Sequence, residues 1–276
     1  MGIGSHAFLW SVKTGLIDLT PHATYAQANA INAAGEVVGY VDGRAFAWTQ
    51  TRGLVDLGTL GGDSAQAYWV SDNGHVVGQS QTPGNKESHA FYWTPAKGMT
   101  DLGTLGGPFS SAPGCCPLPY TPAVNSRGQV IGESEIASGG PYHAFYWTSA
   151  QGMIDLTPGV KGVFSNALAI NGRGEVVGWN ADPSGNPRPF YWTVDRGLIE
   201  LARNGQAYDI SESGQVVGEY GPDYTHAFSW TRGGGLLALP AFGYSSNAYW
   251  VSNRGVIAGA AAVGSQSHAI LWVPSA

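Results

Sequence analysis

HAFYW, at His89–Trp93, decides the fold. It is an apolar and aromatic run headed by a histidine. It returns as HAFLW (His6–Trp10), RAFAW (Arg44–Trp48), HAFYW (His143–Trp147), RPFYW (Arg188–Trp192), HAFSW (His226–Trp230) and HAILW (His268–Trp272). Counted from their first residues, the seven copies stand 38, 45, 54, 45, 38 and 42 residues apart. Self-similarity at such a period marks a solenoid or a propeller, in which one small unit is stacked on copies of itself.

A second phrase lies between the copies: AINAAGEVVG (Ala30–Gly39), WVSDNGHVVG (Trp69–Gly78), AVNSRGQVIG (Ala123–Gly132), AINGRGEVVG (Ala169–Gly178), DISESGQVVG (Asp209–Gly218) and WVSNRGVIAG (Trp250–Gly259). Two β-branched runs flank an Asn or Ser and a Gly. Asn and Ser start turns by bonding nearby backbone, and Gly accepts the positive φ that ends a short hairpin loop. The phrase therefore predicts a β-hairpin, strands A and B. HAFYW supplies strand C, and a turn at Gly leads to strand D, as in GLIDL (Gly15–Leu19), GLVDL (Gly53–Leu57), GMTDL (Gly98–Leu102) and GMIDL (Gly152–Leu156). No segment carries the spacing of an amphipathic helix.

Four short antiparallel strands per repeat make the blade of a β-propeller. The expected fold is all-β, a single β-propeller domain over residues 1–276 with six four-stranded antiparallel blades. On this count the C-terminal A–B hairpin pairs with the N-terminal C–D hairpin and closes the ring, which removes exposed sheet edges. The terminal His268–Trp272 strand is then surplus, free to displace its N-terminal twin, add a fifth strand or pair with another chain.

The chain resembles the HAF-repeat family, bacterial repeat proteins expected to be extracellular and named for their His-Ala-Phe motif. The resemblance rests on His-Ala-Phe-Tyr-Trp, on the AINxxGxVVG hairpin and on DLGTLGG at Asp56–Gly62 and Asp101–Gly107, with departures at Arg44, Arg188 and Ile270. It implies export and a repeat fold, and it names no reaction.

Composition narrows the partners. Net charge is −6, and only 12% of residues are charged. No basic stripe is present to displace counterions, so nucleic acid is not expected. No apolar run has the length of a membrane span, and the start shows no signal-peptide pattern. The adjacent Cys115–Cys116 pair cannot supply a zinc site by itself. The histidines show neither H-x-H nor H-E-x-x-H spacing, so no metal or cofactor is expected. The His and the GxxDL Asp read as scaffold, because a residue repeated in every unit is a poor candidate for a single active site. His75, in an A–B turn, is expected to be exposed.

Function is then sought where the units disagree and where loops vary on a rigid frame. The D–A and B–C connections vary most, and Leu102–Ala123 is the longest. On strand A, Ala30, Ala123 and Ala169 are matched by Trp69, Asp209 and Trp250, each preceded by a tyrosine (Tyr68, Tyr208, Tyr249). Together with Trp179 and Tyr220, these form an expected aromatic ligand-binding surface at the channel mouth, suited to a glycan or another polar small molecule. The competing reading of the Trp residues is packing between blades. An enzyme reading would draw an acid and a base from Glu133, Asp182, Asp209 and Glu219, as in a glycoside hydrolase or lyase. A third reading is a structural or adhesive repeat that exchanges its surplus strand. Oligomeric state is left open.

Overall fold

The computed structural model describes residues 4–113, 122–159, 163–223, 225–241 and 243–274. Cys115 and Cys116 lie outside the described residues. The chain forms seven small antiparallel sheets. Five are four-stranded and run A-B-C-D in chain order, beginning at Ala26, Ala65, Ser110, Ser165 and Gly205. They are flanked by a first sheet holding only strands C and D (Phe8–Ser11, Gly15–Asp18) and a seventh holding only A, B and C (Ser245–Val251, Ile257–Val263, Gln266–Trp272).

The expected all-β repeat of four-stranded antiparallel sheets is found, but in seven sheets, and among the described residues no pairing of N- and C-terminal strands closes a six-bladed ring. Strand B of the seventh sheet pairs along its whole length with its own strand C, from Ile257↔Trp272 to Val263↔Gln266. That edge is filled, and among the described strands the N-terminal hairpin is a two-stranded sheet of its own. The HAILW strand is therefore used within its own chain, which removes the ground for expecting strand exchange.

Within a unit, local chemistry explains the geometry. In the fifth sheet, Asn171 Oδ1 accepts the amides of Arg173 and Glu175, and Gly174 closes the turn at φ +81°. Strand A then carries a β-bulge: Ala167 pairs with Gly178 and Ala169 with Val177, so that Leu168 is the extra residue in the register. A Cβ on Gly178 would lie 2.0 Å from the Asn166 carbonyl, so this closely approached strand requires glycine. The same bulge makes Asn29, Tyr68, Tyr208 and Tyr249 the extra residue in four other sheets.

Strands C and D are locked by a pair at constant spacing. His6–Asp18, Arg44–Asp56, His89–Asp101, His143–Asp155 and Arg188–Glu200 each lie 12 residues apart and in hydrogen-bond contact. In the sixth sheet, where the position opposite His226 in this spacing is Ala238, the acid is missing. The motif histidine is thus a scaffold donor, and Arg replaces it because both types donate.

Neighbouring sheets are stitched by the turn asparagine. Asn32 Nδ2 donates to Ser71 O, Asn125 to Asn171 O, and Asn171 to Ser211 O, at 2.9, 2.9 and 3.0 Å. Aromatic rings repeat the linkage: Tyr92 meets Trp147, Tyr146 meets Trp192, and Tyr191 meets Trp230, with centroids 4.9–5.5 Å apart. The Phe of each copy in the second to sixth sheets is fully buried.

Candidate functional site

Strand A of one sheet lies beside strand A of the next, as between the second and third, fifth and sixth, and sixth and seventh sheets. The bulged residues therefore sit along the inner edge. They reach one another there: Asn29 Nδ2 donates to Ala67 O at 2.8 Å, and the Tyr208 and Tyr249 rings meet at 5.5 Å. Bulges re-aim side chains and recur beside functional sites.

In the fourth sheet strand A is described in two pieces. Ser110–Ser111 pairs with Ser134 and Glu133, and the strand resumes where Ile131 N donates to Ala123 O. Within the long connection expected between strands D and A, Ser110–Ser111 is itself strand, and residues 114–121 lie outside the described residues.

The sixth and seventh sheets bring five of the sequence candidates together: Tyr208, Asp209, Glu219, Tyr249 and Trp250. Tyr208 is buried and hydrogen-bonds the Glu219 carboxylate. With the Asn247 amide turned so that both its ends are satisfied, its nitrogen lies within reach of Glu219 Oε2, of Thr225 Oγ1 at 2.8 Å and of Ser246 O at 2.9 Å, and its oxygen accepts from Tyr249 OH at 3.1 Å. Burial pushes the Glu219 carboxyl above the usual carboxylate range, against the opposing effect of the Tyr208 hydroxyl. Burial, and then the Glu219 charge, raise the Tyr208 hydroxyl. Tyr249 in turn meets the Trp250 ring at 5.7 Å, and Trp250 is 41% exposed.

Asp209 has a different task. Its Oδ1 accepts the Ile210 amide, and its Oδ2 accepts the Val251 amide of the seventh sheet, both at 2.9 Å. It bridges two sheets while burial pushes its carboxyl up. Trp69, at the same strand position in the third sheet, packs half-buried against the apolar core shared with the fourth. At this position the side chain fills or ties the seam between sheets.

The remaining candidates are dispersed. Glu133 is buried between the fourth and fifth sheets and accepts from Asn166 Nδ2 at 2.9 Å, the arrangement that Glu219 and Asn247 repeat. The bulged residue of the fifth sheet beside it is Leu168. Asp182 clasps its own B–C loop through the amides of Ser184 and Asn186 and an ion pair with Arg188 at 3.0 Å. Those contacts, the Asn186 amide first, hold its carboxyl at about 2. Tyr68 OH donates to Gln66 Oε1 at 3.0 Å. Tyr220 packs on the His226 and Phe228 rings. Trp179 is half-buried, and its Nε1 has no hydrogen-bond partner among the described residues.

Sequence reasoning missed Asn247, whose amide joins Glu219 to Tyr249. The signal was present, because Asn247 and Asn166 stand at the same place on strand A, two residues ahead of the bulge. It also missed His75 as a buried group: the ring is half-buried and packs edge-on against Tyr92 at 5.3 Å.

No sequence-family model matches the chain, and no curated protein matches it. Several solved structures do share its fold. A puromycin hydrolase matches with a TM-score of 0.54 and 13% identity, over 92% of this chain and 46% of that one. A prolyl endopeptidase matches at 0.51 and 11%, over 98% and 46%. A puromycin-hydrolyzing peptidase of Mycobacterium tuberculosis matches at 0.51 and 11%, over 85% and 41%. The neighbours are β-propeller proteins, so the chain has a propeller-type repeat fold. It spans less than half the length of these three matches.

Proposed function

We propose that this chain is a ligand-recognition propeller whose binding surface is the inner edge of the sixth and seventh sheets. The observation that carries the reading is the network Tyr208–Glu219–Asn247–Tyr249, built on two adjacent bulges and continued by the exposed Trp250. Ring faces offer apolar area with polar tips. The carboxylate and amide beside them accept and donate in fixed directions. That combination suits a hydroxyl-rich ligand, and a sugar is the chemical class it fits best. The His-Ala-Phe resemblance adds that the protein acts outside the cell.

A two-carboxylate enzyme draws less support. Both Asp209 oxygens are engaged by main-chain amides, Glu133 is sealed in another seam, and Asp182 is spent on its loop. Glycoside cleavage needs two carboxyl groups about 5–9.5 Å apart across the scissile bond, and of the four candidates only Glu219 remains.

A saturation-transfer NMR screen of mono- and oligosaccharides against the chain tests the reading. A sugar should bind, and Tyr249→Ala should weaken it about tenfold, the loss of one stacking contact near 1.4 kcal/mol. Glu219→Gln should weaken it as well. A screen without a binder, or a binder indifferent to both substitutions, overturns the proposal.

A further inference from the structure

Each seam between sheets has a second end, on the face that carries the A–B and C–D turns. The residue just before strand B points there, and its identity changes from seam to seam: Glu36, His75, Gln129, Glu175 and Gln215 in the second to sixth sheets. A Cβ on the turn glycine of the following sheet would meet these side chains: Glu36 at Gly74, Gln129 at Gly174 and Glu175 at Gly214. The position is therefore a wedge between turns.

Where the wedge is a glutamate, a cation answers it. Between the second and third sheets, Arg52 Nη2 donates to the buried Glu36 at 3.1 Å. Between the fifth and sixth, Glu175 takes Arg173 and the Tyr191 hydroxyl at 2.6 Å, and Arg232 donates to that hydroxyl at 2.8 Å. These two seams are locally balanced by carboxylates of the chain itself.

The seam between the third and fourth sheets breaks this pattern. Lys97 stands in the C–D turn where Arg52 stands one sheet earlier, so the cation is kept. The wedge is now His75, which burial holds toward its neutral form. Arg127, from the next A–B turn, brings a second cation. A cavity of about 450 Å³ opens here, lined by Asn73, His75, Tyr92, Lys97, Arg127 and Gly128 among others, with no carboxylate in its lining. Neither Lys97 nor Arg127 forms an ion pair with a described residue. Its floor is built: Asn73 Nδ2 donates to Ser126 O at 2.8 Å and lies 3.3 Å from His75 Nε2, and the Tyr92 ring closes the side.

We propose that this cavity binds a small oxyanion, the carboxylate or phosphate group of a ligand, in the place that the wedge glutamate fills elsewhere. Lys97 and Arg127 supply charge-assisted hydrogen bonds, the strong class for oxyanions, with the Arg fork able to hold two oxygens. The Tyr92 hydroxyl supplies a neutral donor, while the Asn73 amide, engaged by Ser126 O and His75, holds the floor in place. The site lies on the opposite face from the loops that vary, and it is independent of the tyrosine network proposed above.

The test titrates the full chain with sodium phosphate and, separately, sodium acetate at constant ionic strength, followed by amide NMR with chloride as reference. Saturable shifts should centre on Tyr92 and Gly128. Lys97→Gln and Arg127→Gln, both on exposed side chains, should each weaken binding about tenfold, as loss of a charged hydrogen bond does. His75→Glu should abolish binding by restoring the wedge carboxylate, and Lys86→Gln should leave the affinity unchanged. Preferential phosphate saturation names a phosphorylated ligand, and preferential acetate saturation a carboxylate. Shifts that never saturate, or that persist in His75→Glu or in both charge variants, overturn the proposal.

Discussion

The fourth sheet and the first are built from the same phrase, yet their residues stand in different surroundings. Phe145 is fully buried where Phe8 is 61% exposed, and Trp147 is 7% exposed where Trp10 is 61%. The seventh sheet shows the converse face. Leu271 occupies the position of Tyr146 in strand C and is 67% exposed, whereas Tyr146 is 3% exposed. The lesson is that the repeat specifies a strand, while its neighbours specify what each side chain is worth. A phenylalanine between two sheets is core; the same residue on a terminal sheet is half a core.

The largest expected effect tests that difference directly. Phe145→Ala should cost about 3–5 kcal/mol of unfolding free energy, the range for a buried aromatic truncated to leave a cavity. Phe8→Ala should cost about 0.5 kcal/mol, as for a surface position. Urea denaturation of the two variants measures both. Equal costs would mean that the terminal hairpin is covered in solution, and the comparison would fail.

A smaller effect concerns the stitch between sheets. Asn171→Ala removes the turn acceptor and the donor to Ser211 O together, and should cost about 1–3 kcal/mol because partners are left buried and unsatisfied. Ser252, at the matching position in the seventh sheet, accepts only the Val256 amide among the bonds described and is exposed. Its change to Ala should cost about 0.5 kcal/mol. The ratio of the two sharpens the estimate of what one seam contributes.

The smallest effect is a dependence on pH. Burial raises the Asp155 carboxyl, but the His143 ring and the Thr157 amide outweigh it and hold the group below its usual 3.8. A carboxyl held down in the fold adds stability above that value and loses it as the pH falls toward the lowered one. Asp155→Asn should therefore flatten the loss of stability below about pH 4. Asp18 is held down chiefly by His6 but lies at the surface. Its contribution is screened, so Asp18→Asn should leave the acid limb unchanged at physiological salt. Chemical denaturation from pH 5 to pH 2 reads both.

Much of this architecture was legible from residue types alone. The Asn-x-x-Gly phrase encodes its turn because the side-chain oxygen caps amides two and four residues on, and glycine takes the positive φ. The spacing from His143 to Asp155, repeated from Arg44 to Asp56, encodes the C–D lock, although the chain shows the two partners as separate motifs until the strands are paired. The bulge could not be read. It inserts one residue into a strand without altering the hydrophobic alternation enough to be seen, and it decides that Tyr208 and Tyr249 face one another. The pairing of Glu219 with Asn247 was equally hidden, because its partners lie on different sheets and share no periodicity.

The amino-acid sequence by itself determined the unit: four short strands, their turns, and the order in which they pair. These follow from contacts between residues close along the chain, where turn chemistry and β-branched or aromatic runs leave few alternatives. The tertiary structure alone decided that seven sheets form where six blades were expected, that HAILW completes its own sheet, and which wedge residues leave a seam open. Those outcomes depend on competition for a single strand edge and on packing between neighbouring sheets. The winner is set by how many paired residues each arrangement satisfies, a quantity no single repeat contains.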